Sequence, residues 1–334
     1  MTTSLRWALV GASDIAATRV LPALRARGDD AVGVVSGSAQ RARDFAQTHG
    51  LSSGGTDLAA ALTGVDAVYI SSINSQHAEQ AMAAIEAGVH VLCEKPLALS
   101  AAEADSLVSA ADRAGVVLAT NHHLTGSPLH VAVREAVAAG RIGELLAARI
   151  AHAVLLPQRL QGWRLADPAS GGVILDITCH DASVLLPLFG SLPTAVSAHA
   201  AHQGQWPSAA PDAVMATMTF SGDRLAQTHD SFTNPHTATT LEVLGSQGSI
   251  TVTDAMNQDT PGTVELCTDS GREQLQVDTS ADLYVIVLDA FTAAVAGTGE
   301  PTASGQAGAD ALRVALAAAE SVRTGTAIDP RSVN

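Results

Sequence analysis

The sequence predicts a two-domain α/β protein. An N-terminal Rossmann-type, doubly wound parallel sheet leads into an α+β domain with a large, mostly antiparallel open sheet. Three observations carry this reading. Short apolar runs alternate with helical patterns through the first third of the 334 residues. A glycine turn follows the first of those runs, where a dinucleotide fold places it. Past about residue 125, strand-like runs succeed one another without regular helices between them. At ~100–200 residues per domain the length suits two domains. The expected division is 1–124 for the nucleotide domain and 125–334 for the substrate domain, with the C-terminal helices placed to pack back on the first.

The elements follow in order. "LRWALV" (5–10) reads as a buried strand and "IAATRVLPALRAR" (15–27) as a helix. "AVGVVS" (31–36) is a strand, and "AQRARDFAQTHG" a helix closed by Gly50. "DAVYIS" (66–71) is a strand, "HAEQAMAAIEAG" a helix closed by Gly88, and "HVLCE" a strand. Ser100 caps the next helix, with Glu103 in capping-box position, and "VVLATN" completes the parallel series. A further helix spans about 129–139. Strands then read at "ELLAARIAHAVL", "TAVSAHAAHQ", "AVMATMTF", "RLAQTHDSF", "TTLEVLGS", "GSITVT" and "GTVELCT", several of them separated by turns such as "SGDR" and "GSQGS". One helix near 172–189 interrupts them, and helices near 282–296 and 305–324 close the chain.

Composition narrows the function classes. The formal charge is −15, which argues against a nucleic-acid partner, since such binding rests on clustered cations. The three cysteines, Cys93, Cys179 and Cys267, are few, odd in number and widely spaced. Neither a disulfide framework nor a zinc ribbon fits them. No apolar run is long enough for a membrane span, and the start carries no leader pattern. The expectation is a soluble cytoplasmic protein with no metal and no membrane partner. The sheet of the second domain is a candidate surface for self-association.

The glycine turn reads Gly11-Ala12-Ser13-Asp14-Ile15-Ala16 against the pattern G-x-G-x-x-G/A. Ser13 replaces the second glycine. It is still small, its hydroxyl can serve a phosphate, and the helix start supplies amide donors. Gly11, Ser13, Asp14 and Ile15 are therefore candidate cofactor contacts. An NAD site wants an acid after the second strand. Here "VVSGSAQRAR" has none; Ser36, Ser38, Arg41 and Arg43 stand there instead. That suits a 2′-phosphate, so NADP (NADPH) is expected, with Ser36 and Arg41 as contacts. Ser72, Asn74, His77, Glu94 and Asn121 follow the carboxyl ends of later strands and complete the cofactor candidates.

Lys95 is the one lysine; the other 17 basic residues are arginine. It sits at the carboxyl end of a parallel strand, where such sheets bind ligands. Arginine keeps its proton at any accessible pH, whereas lysine exchanges one and acts as a compact donor to a carbonyl or alkoxide oxygen. In "GGVILDITCHDASVLLPLFG", Asp176 and His180 are four apart and share a helical face. Carboxylate and imidazole together form an acid/base pair. A capped helix start with a satisfied histidine is the other reading, and spacing alone leaves it open. His123 of "NHH" and Trp163 and Arg164 of "GWR", placed in a loop, are candidate substrate contacts.

These stretches resemble the glucose–fructose oxidoreductase/inositol dehydrogenase/rhizopine catabolism (Gfo/Idh/MocA) family. The matching motifs are the Gly11–Ala16 turn, "INSQHAEQAMAAIEAGVHVLCEKPLALS", "AGRIGE" and "GGVILDITCHDAS". The resemblance implies a Rossmann domain, an open-sheet second domain and an active site in the cleft between them. It assigns the chemistry to Lys95, Asp176 and His180. Thr178 stands where many members have glycine, and His122 and His123 where many have an arginine–aromatic pair. With "GASDIA", "LQGWRLADPASGG" and "THDSFT", these departures resemble the family's NADPH-dependent reductases of cyclic keto-sugars. Two alternatives stand beside that reading: an inositol or aldose dehydrogenase, and a non-catalytic NADP-binding regulatory protein.

Overall fold

The computed structural model describes residues 4–258 and 262–334. The chain divides into two compact units, one of residues 1–123 with 281–309, the other of 124–280 with 310–334.

The first unit is built on strands β1 (Arg6–Val10), β2 (Asp30–Val35), β3 (Ser53–Gly55), β4 (Ala67–Ile70), β5 (His90–Cys93) and β6 (Leu118–Thr120). Their order is β3-β2-β1-β4-β5-β6, and every pairing is parallel. The order reverses between β1 and β4, which is where such sheets take ligands. Helices α1 (Leu21–Arg27), α2 (Ala39–His49), α3 (Leu58–Ala61), α4 (His77–Glu86) and α5 (Ala101–Ala114) connect them. Ser100 and Glu103 make the expected capping box on α5. The sequence reading missed β3 and α3, whose runs of three and four residues are too short to show a period. Trp7, fully buried, packs 5.2 Å from Phe291 of helix α9 (Leu283–Val295). Tyr284, Val287 and Leu288 join the same core, so this late helix completes the hydrophobic face of the first sheet.

The second unit holds β7 (Leu145–Ala153), β8 (Ala195–Ala201), β9 (Ala213–Phe220), β10 (Arg224–Ser231), β11 (Thr240–Gly245), β12 (Gly248–Thr253), β13 (Thr263–Thr268) and β14 (Gly271–Leu275). The sheet order is β14-β13-β12-β11-β7-β10-β9-β8. Only β7 with β10 is parallel; the rest are antiparallel. β9 alternates buried and exposed residues through most of its length, as a sheet with one covered face requires. Helices α6 (Pro128–Ala138) and α8 (Cys179–Phe189), short helix α7 (Gly162–Ala166) and the body of α10 (Gly305–Thr324) belong here. β14 begins at the glycine of "DSG" and was not read from the sequence. All but one of its residues are exposed and carry no apolar face. Among the described residues no helix is long and apolar enough to cross a membrane.

Candidate active site

In the first unit the site is assembled where β1 and β4 end. Gly11 has φ +114°, and a Cβ there would lie 2.6–2.7 Å from the Ser71 and Ser72 backbone. Only glycine permits that approach. The Ser13 hydroxyl lies 2.7 Å from that of Ser71 and accepts from the Ala16 amide at 3.1 Å. Serine at the second glycine position thus ties the two loops together. Asp14 is exposed and Ile15 packs on the core. A π-helical turn, Ala16–Val20, opens the first helix.

At the end of β2, the Arg41 Nε donates to the Ser36 hydroxyl at 3.0 Å. Ser38 caps α2 by accepting from the Arg41 amide at 3.3 Å. The serine and the guanidinium predicted together are held together, with no acid interposed.

Beyond β4, the Ser72 hydroxyl donates to Gln80 at 2.6 Å, and Asn74 is buried. His77 is 1% exposed; its Nδ1 lies 2.8 Å from the Pro96 carbonyl and its Nε2 3.2 Å from that of Ser72. Its imidazole thereby clamps the "EKP" loop to the end of β4, and burial lowers its pKa. Glu94 accepts from the Tyr69 hydroxyl and from the Asn121 amide, both at 2.6 Å. Lys95 follows, half-buried, within electrostatic reach of His77 and His122. Burial, aided by the Lys95 charge, takes His122 down to about 3, so it is a neutral imidazole beside the lysine. The His123 ring stacks on Tyr284 at 5.3 Å and is buried.

In the second unit, Asp176 lies in a π-helical turn, Ile174–Thr178, that runs into α8 and delivers His180. Such turns recur at functional sites. The "GWR" segment is a short helix, not a loop. Gly171 leaves room for it: a Cβ there would lie 2.7–2.8 Å from the Trp163, Arg164 and Asp167 carbonyl oxygens. The helix therefore folds against the start of the Asp176 segment. Arg164 sits 4.7 Å over the Trp163 ring and donates to Asp176 Oδ2 at 3.2 Å. Asp176 and His180 are 9% and 7% exposed. The Cys179 thiol turns away onto the Leu175 carbonyl.

The sequence reading missed Tyr69 and Ser71 in the first unit and His152 and Asp230 in the second. Tyr69 carried no signal, because it reads as one more apolar strand residue. His152 and Asp230 were legible only as polar residues on inward strand positions. Among the described residues, no three His, Cys, Asp or Glu side chains are arranged to hold a metal ion.

Comparison with known proteins bears on this geometry. Residues 5–122 match the family model "Oxidoreductase family, NAD-binding Rossmann fold", and residues 130–251 match the "GFO/IDH/MocA C-terminal domain". The chain is 44% identical to 1,5-anhydro-D-fructose reductase of Ensifer adhaerens over 97% of its own length and 98% of that protein's. It is 27% identical to D-xylose 1-dehydrogenase (NADP(+)) 2 of Haloferax volcanii over 97% and 99%. Among solved structures, aldose-aldose oxidoreductase from Caulobacter crescentus shares the fold, with a TM-score of 0.88 at 20% identity over 98% of this chain and 100% of that one. With its nicotinamide-type Rossmann unit, its glycine turn and its single lysine, the chain belongs to the GFO/IDH/MocA oxidoreductase family.

Proposed function

We propose that this oxidoreductase is an NADPH-dependent reductase of a cyclic keto-sugar, with 1,5-anhydro-D-fructose as substrate and 1,5-anhydro-D-mannitol as product. The observation that carries it is the near full-length similarity to 1,5-anhydro-D-fructose reductase, which takes in the stretches containing Lys95, Trp163–Arg164 and Asp176–His180.

The residues present fit a nicotinamide dinucleotide. Gly11 keeps the turn after β1 free of a side chain where backbone loops approach within van der Waals distance. Small residues and helix amides follow it. Arg41, steadied by Ser36, offers a cation in place of the acid that would select a free ribose hydroxyl; this supports NADPH. Ser72, Asn74, His77, Glu94 and Asn121 line the remaining strand ends. The bound reduced cofactor supplies the hydride.

The protein's own groups handle charge and protons. Reduction turns a neutral carbonyl oxygen into an alkoxide, so a cation or proton donor at that oxygen lowers the barrier. Lys95 Nζ is assigned to that oxygen. His180 is assigned as the proton donor and is then reprotonated from solvent. Asp176, held by Arg164, orients the sugar hydroxyls or the imidazole. Trp163 and Arg164 present an aromatic face and a fork of donors suited to a polyhydroxylated ring. His123, stacked on Tyr284, is assigned a shaping role.

The test is to incubate the protein with NADPH and 1,5-anhydro-D-fructose and identify the product. Formation of 1,5-anhydro-D-mannitol, lost on Lys95→Met while NADPH still binds, is the expected result. Turnover that survives Lys95→Met contradicts the assignment.

A further inference from the structure

A buried polar cluster lies on the covered face of the second sheet, and the reduction as described does not use it. In the parallel pairing of β7 with β10, His152 stands opposite Asp230. Both side chains therefore project from one face. Asp181, from the first turn of α8, meets them there. His152 Nδ1 lies 2.7 Å from Asp181 Oδ1, and the Thr178 hydroxyl donates to Asp230 Oδ2 at 2.5 Å. Asp181, Asp230 and Thr178 are fully buried and His152 nearly so.

The count of donors is decisive. Each carboxyl has one oxygen served from outside the pair, by an imidazole or by a hydroxyl. The second oxygens, Asp181 Oδ2 and Asp230 Oδ1, are sealed from solvent and meet no donor. Yet the two carboxyls stand beside each other, close enough for each to shift the other's titration. As two carboxylates they would repel, and both oxygens would stay unsatisfied. One proton between them removes both costs. Burial pushes both carboxyls up, Asp230 further because Asp181 stands beside it. Asp181 faces an imidazole and Asp230 a neutral hydroxyl, so the charge belongs on Asp181 and the proton on Asp230.

Among the described residues, the titratable groups that interact with His152 include His180 from the same helical segment as Asp181, and His130, itself beside Arg134, from α6. His130 gives its Nε2 to the Ala255 carbonyl and is held at about 4 by burial. It is neutral and cannot balance Asp181. His152, at 2.7 Å from Asp181 Oδ1, is placed to do so, and its ring centroid is 6.4 Å from that of His180.

We propose that Asp181 and Asp230 hold one shared proton beneath His180, and that the charge left on Asp181 fixes the charge of His152 and thereby the titration of His180. These are positioning residues; none touches the reacting atoms. The idea rests on the reading of His180 as the proton donor. It also gives a role to Thr178 and Asp181 of "DITCHD" and to Asp230 of "THDSFT".

Two isosteric variants separate this from a merely structural role. In Asp230→Asn an amide N–H replaces the shared proton, and the charge stays on Asp181. In Asp181→Asn the charge moves to Asp230, beside Thr178. Both keep volume and hydrogen bonds. Histidine titrations are read by NMR on the ¹⁵N-labelled free protein, with His152→Gln and His180→Asn for assignment. Asp181→Asn is expected to lower the His152 titration by about one unit or more, as loss of an adjacent charge does. It should also move His180 and the pH profile of kcat. Asp230→Asn should leave all three near wild type. Equal shifts in the two variants, or none, overturn the proposal. The NMR readout needs no substrate, so failure of the reductase reading shows separately, as asymmetric titrations without turnover. Should either variant fail to fold, infrared spectra of ¹³C-aspartate-labelled wild type decide. A protonated carboxyl band is expected to persist at neutral pH, far above the ordinary aspartate range near 3.9. Its absence overturns the proposal.

Discussion

The two units position the groups assigned to the chemistry in different ways. In the first, each group sits within a few residues of a strand end, and the parallel sheet alone brings the loops together. Lys95, Glu94 and Pro96 are neighbours in sequence, and His77, at the start of α4, lies between the Pro96 and Ser72 carbonyls. In the second, one helix carries Asp176 and His180, but the partners come from afar. Arg164 reaches Asp176 across 12 residues, His152 reaches Asp181 across 29, and Thr178 reaches Asp230 across 52. The first unit holds its lysine by local geometry. The second tunes its histidine by buried electrostatics. Substitutions should therefore act locally and completely in the first unit, and through pH in the second.

The largest effect should come from Lys95→Met. Loss of the only compact cation at the strand end is expected to lower kcat by about 10³-fold, within the range for proton-transfer groups, with NADPH affinity almost unchanged. Equal loss of cofactor binding would make Lys95 a binding residue and blur the contrast. Next, Gly11→Val drives a Cβ into the Ser71–Ser72 backbone. It should abolish cofactor binding and lower stability by about 1–3 kcal/mol, as overpacking does; a calorimetric titration and a thermal melt read both. Arg41→Ala removes a charge-assisted contact worth about 1.5–3 kcal/mol. The Kd for NADPH should rise about 10- to 100-fold, at 1.36 kcal/mol per tenfold, and that for NADH hardly at all. A parallel rise for both cofactors would remove Arg41 from cofactor choice.

The smallest effect belongs to the second unit. His130 is buried and held at about 4, against 6.5 in the unfolded chain. As pH falls from about 6.5 toward 4, the unfolded chain binds a proton that the fold refuses, so stability drops through that window. His130→Gln keeps a donor for the Ala255 carbonyl and does not titrate. Its urea-denaturation stability should fall less than wild type over that range, by about 1–3 kcal/mol. Parallel curves would show that His130 is not held neutral.

What was legible in the sequence follows the same divide. The parallel series, the capping box on α5 and the lysine at the end of β5 are short-range patterns, and the sequence displays them directly. Asp176 and His180 were visible because a helix puts residues four apart on one face. Their tuning was not visible. His152 and Asp230 meet only through the register of β7 with β10, the one parallel pair in an otherwise antiparallel sheet, and no local period encodes it. The "GWR" helix was read as a loop because five residues show no period; a glycine eight positions after Trp163 makes room for it. The placement of α9 against Trp7 is likewise a contact across most of the chain.

The most direct test of the account is the oxidation of reduced cofactor by 1,5-anhydro-D-fructose, with NADPH and NADH run side by side, beside a panel of inositols and aldoses with NADP and NAD. Fast loss of NADPH, slow loss of NADH and no comparable rate with the polyols is the predicted result. Rapid polyol oxidation with NAD, and none of the keto-sugar reduction, would contradict it.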